Sequence, residues 1–201
     1  MTKFFYISLS MATLLILFGL VYQGKVSQAQ TSKKSVLVAQ KLIKKALTLP
    51  DQQKKYFLKK HLSSLEYRVT QESGTERAFS NRYWNFKAPG LYVDLISGLP
   101  LFSSAHKFAS GTGWPSFDRI LNAKEVRKQV DQSYGMKRTE VYAHSSHSHL
   151  GHLFDDGPTE TGRRYCINSA SLRFIPLDQL QAKGYESWIA KAGLSQEIGR
   201  A

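Results

Sequence analysis

Cys166 is the one cysteine in a chain of 201 residues. It cannot form an internal disulfide, so its thiol is a small buried hydrophobe, half of an intermolecular bridge or a nucleophile. Its neighbours favour the nucleophile. In Arg164-Tyr165-Cys166-Ile167-Asn168 a strand sets Arg164, Cys166 and Asn168 on one face and Tyr165 and Ile167 on the other. A guanidinium on the same face favours the thiolate, and the Asn168 amide can hydrogen-bond a substrate or the sulfur. An inert cysteine keeps apolar company on its own face, whereas this one has a cation and an amide.

Four of the six histidines crowd into His144-Ser-Ser-His147-Ser-His149-Leu-Gly-His152. Imidazoles so spaced could converge on a metal, face solvent in a polar loop, or serve as acid and base near neutral pH. Strand alternation would put His147 and His149 on one face, with a turn at Gly151 needed to bring His152 round. A third stretch, Ser110-Gly-Thr-Gly-Trp-Pro-Ser-Phe117, has two glycines for close approach and a Trp114 held extended by Pro115. A presented indole is a wall for a methyl group; it is equally the anchor of a turn in a core.

Short β-prone runs must position these residues: Leu91–Val93, Thr139–Ala143, Arg164–Ile167 and Ser171–Ile175. Turn signals at 72–74, 88–90, 97–100 and 155–158 separate them. The expectation is a mainly β domain of antiparallel sheets with a few short helices. Helices are expected over Phe117–Val130 and near Leu177–Ala192. Upstream, apolar residues from Val36 to Leu47 recur at helical intervals, and a second helical segment runs from Gln52 to Leu62.

The net charge of +13 is lopsided: residues 1–62 hold eleven lysines and one acid, while the remainder holds 17 basic and 14 acidic residues. The balanced remainder argues against nucleic-acid binding, which needs a basic face on the domain itself. The basic excess follows an uncharged, Leu/Ile/Phe-rich run from Phe4 to Tyr22, with small residues at Ser27-Gln28-Ala29. That pattern reads as a signal peptide or a retained anchor, hence an exported, periplasmic or otherwise extracytoplasmic protein. The basic segment would meet an anionic membrane surface or be a solvated spacer. The expected organisation is 1–29 signal or anchor, 30–62 basic helical linker, 63–192 catalytic domain and 193–201 tail.

The stretches Val69–Arg77, Ser97–Phe102, Lys107–Phe117, Arg138–Val141, Ser148–Pro158 and Arg164–Pro176 together resemble the B-type methionine-R-sulfoxide reductases. The resemblance implies the fold of that family and reduction of methionine-R-sulfoxide in proteins. It also implies Cys166 as nucleophile, and His149 and His152 near the sulfoxide oxygen. Asn168 would lie beside the thiol, Arg164 and Asp156 would form an organising ion pair, and Trp114 with Phe117 would bind substrate. Many relatives carry a zinc on two Cys-x-x-Cys pairs. Those places are Asp94 with Ser97 and Ala143 with Ser146 here, so no such zinc is expected. Thr112 stands where many relatives have a recycling cysteine. Cys166 sulfenic acid must then be reduced by an external thiol, a thioredoxin-like protein or a small molecule. A metal-binding protein built on the histidine cluster, and a tethered binding module that has lost activity, are the competing readings.

Overall fold

The computed structural model describes residues 44–196, so the expected signal or anchor, and the Val36–Leu47 helix up to residue 43, lie outside the described residues. Helix α1 (Asp51–His61) starts behind Pro50, with Asp51 in its first turn and Lys59, Lys60 and His61 in its last, each charge complementing the helix dipole. Helix α2 (Ser64–Gln71) is opened by a capping box: Ser63 Oγ accepts from the Glu66 N–H and Glu66 returns the bond to the Ser63 N–H. Among the described residues no helix is long and apolar enough to cross a membrane.

Nine strands follow among the described residues: β1 (Gly90–Asp94), β2 (Pro100–Ser103), β3 (Lys107–Phe108), β4 (Ser116–Phe117), β5 (Val126–Asp131), β6 (Arg138–Ala143), β7 (His149–Phe154), β8 (Arg164–Ile167) and β9 (Leu172–Pro176). They form a three-stranded sheet, β2-β1-β9, and a six-stranded sheet, β3-β4-β8-β7-β6-β5. Every pairing is antiparallel. A core drawn from both sheets includes Tyr92, Phe102, Phe117, Val141, Leu150, Tyr165 and Ile167. A smaller cluster joins Leu58, Leu62 and Tyr67 of the helical region to Leu95 and Ile96 after β1. A third packs Leu91, Val93 and Ile175 against Leu180, Ala192 and Leu194.

The mainly β, antiparallel fold agrees with the sequence expectation, and the four expected strands appear as β1, β6, β8 and β9 to within a residue or two. The helix expected over Phe117–Val130 does not form. Asn122 makes a turn there, its carbonyl accepting from Glu125 and Val126 and its side chain from Lys124. Val126 onward then pairs along the whole of β6. Local helical spacing loses to that hairpin. Near the C-terminus the expected helix is two single 3-10 turns, Leu177–Gln179 and Glu186–Trp188, with Gly184 at φ 78° between them.

Candidate active site

The pleat and register of the large sheet assemble the site. Cys166 pairs with His152 of β7 on one side and Ser116 of β4 on the other. His152 pairs with Glu140, Glu140 with Gln129, and Ser116 with Phe108. One transverse row, Phe108–Ser116–Cys166–His152–Glu140–Gln129, therefore crosses all six strands on the face opposite the core. Tyr165 and Ile167, the alternate residues of β8, are buried in that core as expected.

His149 joins the row through a β-bulge. Tyr142 pairs with His149 and Val141 with Gly151, which leaves Leu150 as an extra residue. Leu150 drops into the core, and both histidines keep the site face with ring centroids 5.4 Å apart. A bulge, not a turn, brings His152 round. Gly151 is the residue the geometry demands: at φ 156°, a Cβ there would lie 2.0 Å from the Cys166 carbonyl oxygen. His147 occupies the preceding turn at φ 57° and is exposed, so it does not share a face with His149. His144 is exposed too.

Each inner histidine is held by a carboxylate. His149 Nδ1 lies 2.5 Å from Glu140 Oε1, and His152 Nε2 lies 2.8 Å from Asp131 Oδ2. With Glu140 also accepting from Gln129 (2.6 Å), hydrogen bonding, from His149 above all, holds its carboxyl below the usual range. Asp131 is likewise held low, chiefly by Ser133 and then by His152 and Arg138. Two ionised carboxylates thus fix one ring nitrogen of each histidine. His149 Nε2 is buried without a partner. The pKa of His152 is lowered, because burial outweighs the pull of Asp131. A polar cavity lined by both histidines, both carboxylates, Arg68 and Arg138 lies beside them.

Cys166 itself opens on a cavity of about 150 Å³ bounded by Trp114, His152, Phe154, Asn168, Thr75 and Arg138. That is the size for the end of one side chain rather than for a whole small-molecule ligand. Thr112 Oγ1 is 3.9 Å from Cys166 Sγ. Burial pushes the thiol pKa up; Thr112, Arg164 and Ser116 only partly offset it. The expected thiolate-favouring cation is present, but desolvation wins, and the resting group is the neutral thiol. Arg164 grips Asp156 by two bonds of 2.8 Å and stacks 4.3 Å over Phe154, so the anticipated pair is formed.

Phe117 is a correction. One residue beyond Ser116, it faces the core, fully buried and stacked on Phe102 at 4.5 Å. It cannot line the cavity. Asn168 lies past the end of β8, its Oδ1 accepting from Glu76 N–H and its Nδ2 donating to Leu150 O. Its amide is committed largely to the scaffold. Glu76, which the sequence reading missed, ties three parts together. Its N–H holds Asn168, its carbonyl accepts from Trp114 Nε1 at 3.2 Å, and its buried carboxyl accepts from the Ser169 and Ala170 N–H groups.

A family model for the SelR domain matches residues 62–176. The chain belongs to this family, the B-type methionine-R-sulfoxide reductases. It is thus an oxidoreductase of the peptide-methionine (R)-S-oxide reductase class, with methionine-sulfoxide-containing proteins as substrates. The positions where the resemblance would put a zinc hold other groups. Buried Asp94 accepts from the Ile96 and Ser97 N–H groups (3.2 and 2.6 Å), and the Ser97, Ser146 and Ser148 hydroxyls beside it favour its charged form. One carboxylate and hydroxyls, with Ala143 at the fourth place, do not suit zinc, which takes thiolate and imidazole in structural sites. Among the described residues no group of three or more His, Cys, Asp or Glu is placed to hold a metal ion.

Proposed function

We propose that this reductase works through a sulfenic acid on Cys166 that an external thiol restores. The observation that carries the reading is the cavity where Cys166, Trp114 and His152 meet, in a chain with no second cysteine. Trp114 receives the sulfoxide methyl. The neutral thiol gives its proton to His152, which the burial-lowered pKa leaves unprotonated and ready. Sγ attacks the sulfoxide sulfur while the protonated histidine delivers its proton to the oxygen; the hydroxyl then passes from that sulfur to Sγ, the new Sγ–O bond forming as the sulfur–oxygen bond and the transient sulfur–sulfur bond break. The sulfoxide gains two electrons and leaves as methionine; the cysteine loses two and keeps the oxygen as Cys166–SOH. One external thiol then displaces water to form a mixed disulfide, and a second releases Cys166 as the thiol. Asp131 and Glu140 orient the histidines, Arg164 with Asp156 steadies the thiol's surroundings, and Asn168 and Glu76 hold the cavity wall. Zinc takes no part.

The test is turnover of R and S epimers of a methionine sulfoxide peptide with dithiothreitol. The R epimer alone is reduced, and Cys166→Ser abolishes the reaction. Absence of R turnover, or full activity in the serine variant, overturns the scheme. On the sequence pattern of residues 1–62, the proposal extends to repair of exported proteins beside a membrane. The mass of the protein recovered from cells distinguishes a cleaved signal from a retained anchor.

A further inference from the structure

Trp114 is a wall of two cavities. On its other side lies a second one of about 460 Å³, lined by Phe79, Trp84, Phe86, Lys87, Lys107 and Phe108. The transverse row of the large sheet links them: Cys166, Ser116 and Phe108 are in register on adjacent strands, which spaces Phe108 roughly 10 Å from the nucleophile's strand. The loop from Ser110 to Gly113 is the partition between them.

The lining is aromatic and cationic, and among the described residues no carboxylate contributes to it. Lys107 donates to Trp84 O at 3.2 Å, which fixes one ammonium at the wall, while Lys87 is exposed. Phe79 stands at the rim, 56% exposed, edge-on to Trp84 at 5.5 Å. It does so at φ 59°, a backbone conformation a bulky side chain rarely adopts. The strain is held in place by the Phe79 N–H bond to Gly113 O (2.9 Å) and by Asn81 Nδ2 to the same oxygen (2.7 Å). The residue so pinned, Gly113, directly precedes Trp114.

We infer that this cavity is a subsite for the polypeptide around the methionine sulfoxide, taking an acidic side chain about three residues from it. The inference rests on the reductase reading of the Cys166 cavity. An extended peptide rises about 3.3 Å per residue, so about three residues cover the span from the sulfoxide to Phe108. The aromatic rim covers the peptide's backbone and side-chain stems, and Lys87 and Lys107 supply the charge an aspartate or glutamate requires.

The experiment uses the full chain with dithiothreitol and R-sulfoxide substrates. These are N-acetyl-methionine-R-sulfoxide methylamide, and peptides with Glu, Ser or Lys three residues before or after the sulfoxide. The Glu peptide of one series exceeds its Lys counterpart in kcat/KM by about fivefold, through KM, as an exposed ion pair allows. The preference shrinks at high salt, and Lys87→Glu inverts it without altering turnover of the methylamide. Equal kcat/KM for Glu and Lys peptides in both series, or a preference untouched by Lys87→Glu, overturns the subsite. So does a Lys87→Glu effect confined to thioredoxin-driven turnover of the methylamide, which would assign the cavity to the electron donor. Failure to reduce the methylamide at all would instead remove the reductase reading beneath it.

Discussion

Glu140 and Asp94 are both carboxylates withdrawn from water, and their surroundings drive them in opposite directions. Glu140 has a histidine to pair with and an amide behind it, and these bonds hold its proton affinity down. Asp94 is fully buried, with two backbone N–H groups for partners on Oδ2 and Oδ1 unpaired; desolvation dominates and raises its pKa. A carboxylate that keeps its charge can fix an imidazole for proton transfer. One that is pushed toward its neutral form can still accept hydrogen bonds from the turn that follows it. The first cluster is arranged as the proposed chemistry requires, and the second ties down the turn after β1.

The sharpest separation of the two clusters is expected from His152→Ala. It removes the proton carrier and lowers kcat about 10³-fold, with urea unfolding little changed; a large loss of stability would mean that the histidine cluster is structural. Next comes Asp94→Ala. It strips the acceptor from the Ile96 and Ser97 N–H groups and costs about 3 kcal/mol in chemical denaturation, while kcat of the folded enzyme stays within about twofold of wild type. Glu140→Gln is smaller. A neutral acceptor still meets His149 Nδ1, so kcat falls about tenfold, and the acid limb of the pH–rate profile moves with it while KM holds.

The smallest effect belongs to Asp94→Asn and appears only against pH. Asp94 binds its proton more tightly folded than unfolded. Its contribution to stability is therefore greatest in acid, and declines as pH rises from the ordinary aspartate value toward the folded one. Glu140 has the reverse sign: its contribution is full above the ordinary glutamate value and is lost as pH falls through its lower folded value. Thermal midpoints of Asp94→Asn across pH 4–8 should lack the decline, with a change under about 1 kcal/mol at neutral pH. A decline as steep as in wild type would place the titrating group elsewhere.

Much of this arrangement is legible in the sequence, for identifiable reasons. Strict alternation in Arg164–Ile167 fixes which side of β8 carries the thiol, and Gly-Thr-Gly-Trp-Pro marks a loop that presents its indole. What alternation within one strand cannot reveal is the register between strands, and here register makes the site. Glu140 and Asp131 become partners of His149 and His152 only once β5, β6 and β7 are paired. The resemblance carries Trp114 and Phe117 over together, whereas Ser116 and Phe117 alternate in their strand and Phe117 turns into the core. The lost helix at 117–130 had the right apolar spacing, but Val126–Asp131 gains a full ladder with β6. The Glu66 capping box and the buried Glu76 lay in plain view as acids near a helix start and a loop. Only tertiary contact says that the second joins Trp114 to Asn168.

The bulge at Leu150 gives the reductase an unusual kind of vulnerability. His149 and His152 share the site face although two residues lie between them, because the bulge takes one of those residues out of the alternation. Pairing the same residues as a regular pleat, without the bulge, would preserve every side chain of the site, yet rotate one imidazole into the hydrocarbon interior. At this point the site is written as an odd-or-even count, so the loss of this one irregularity threatens it more than most exchanges of one side chain for another.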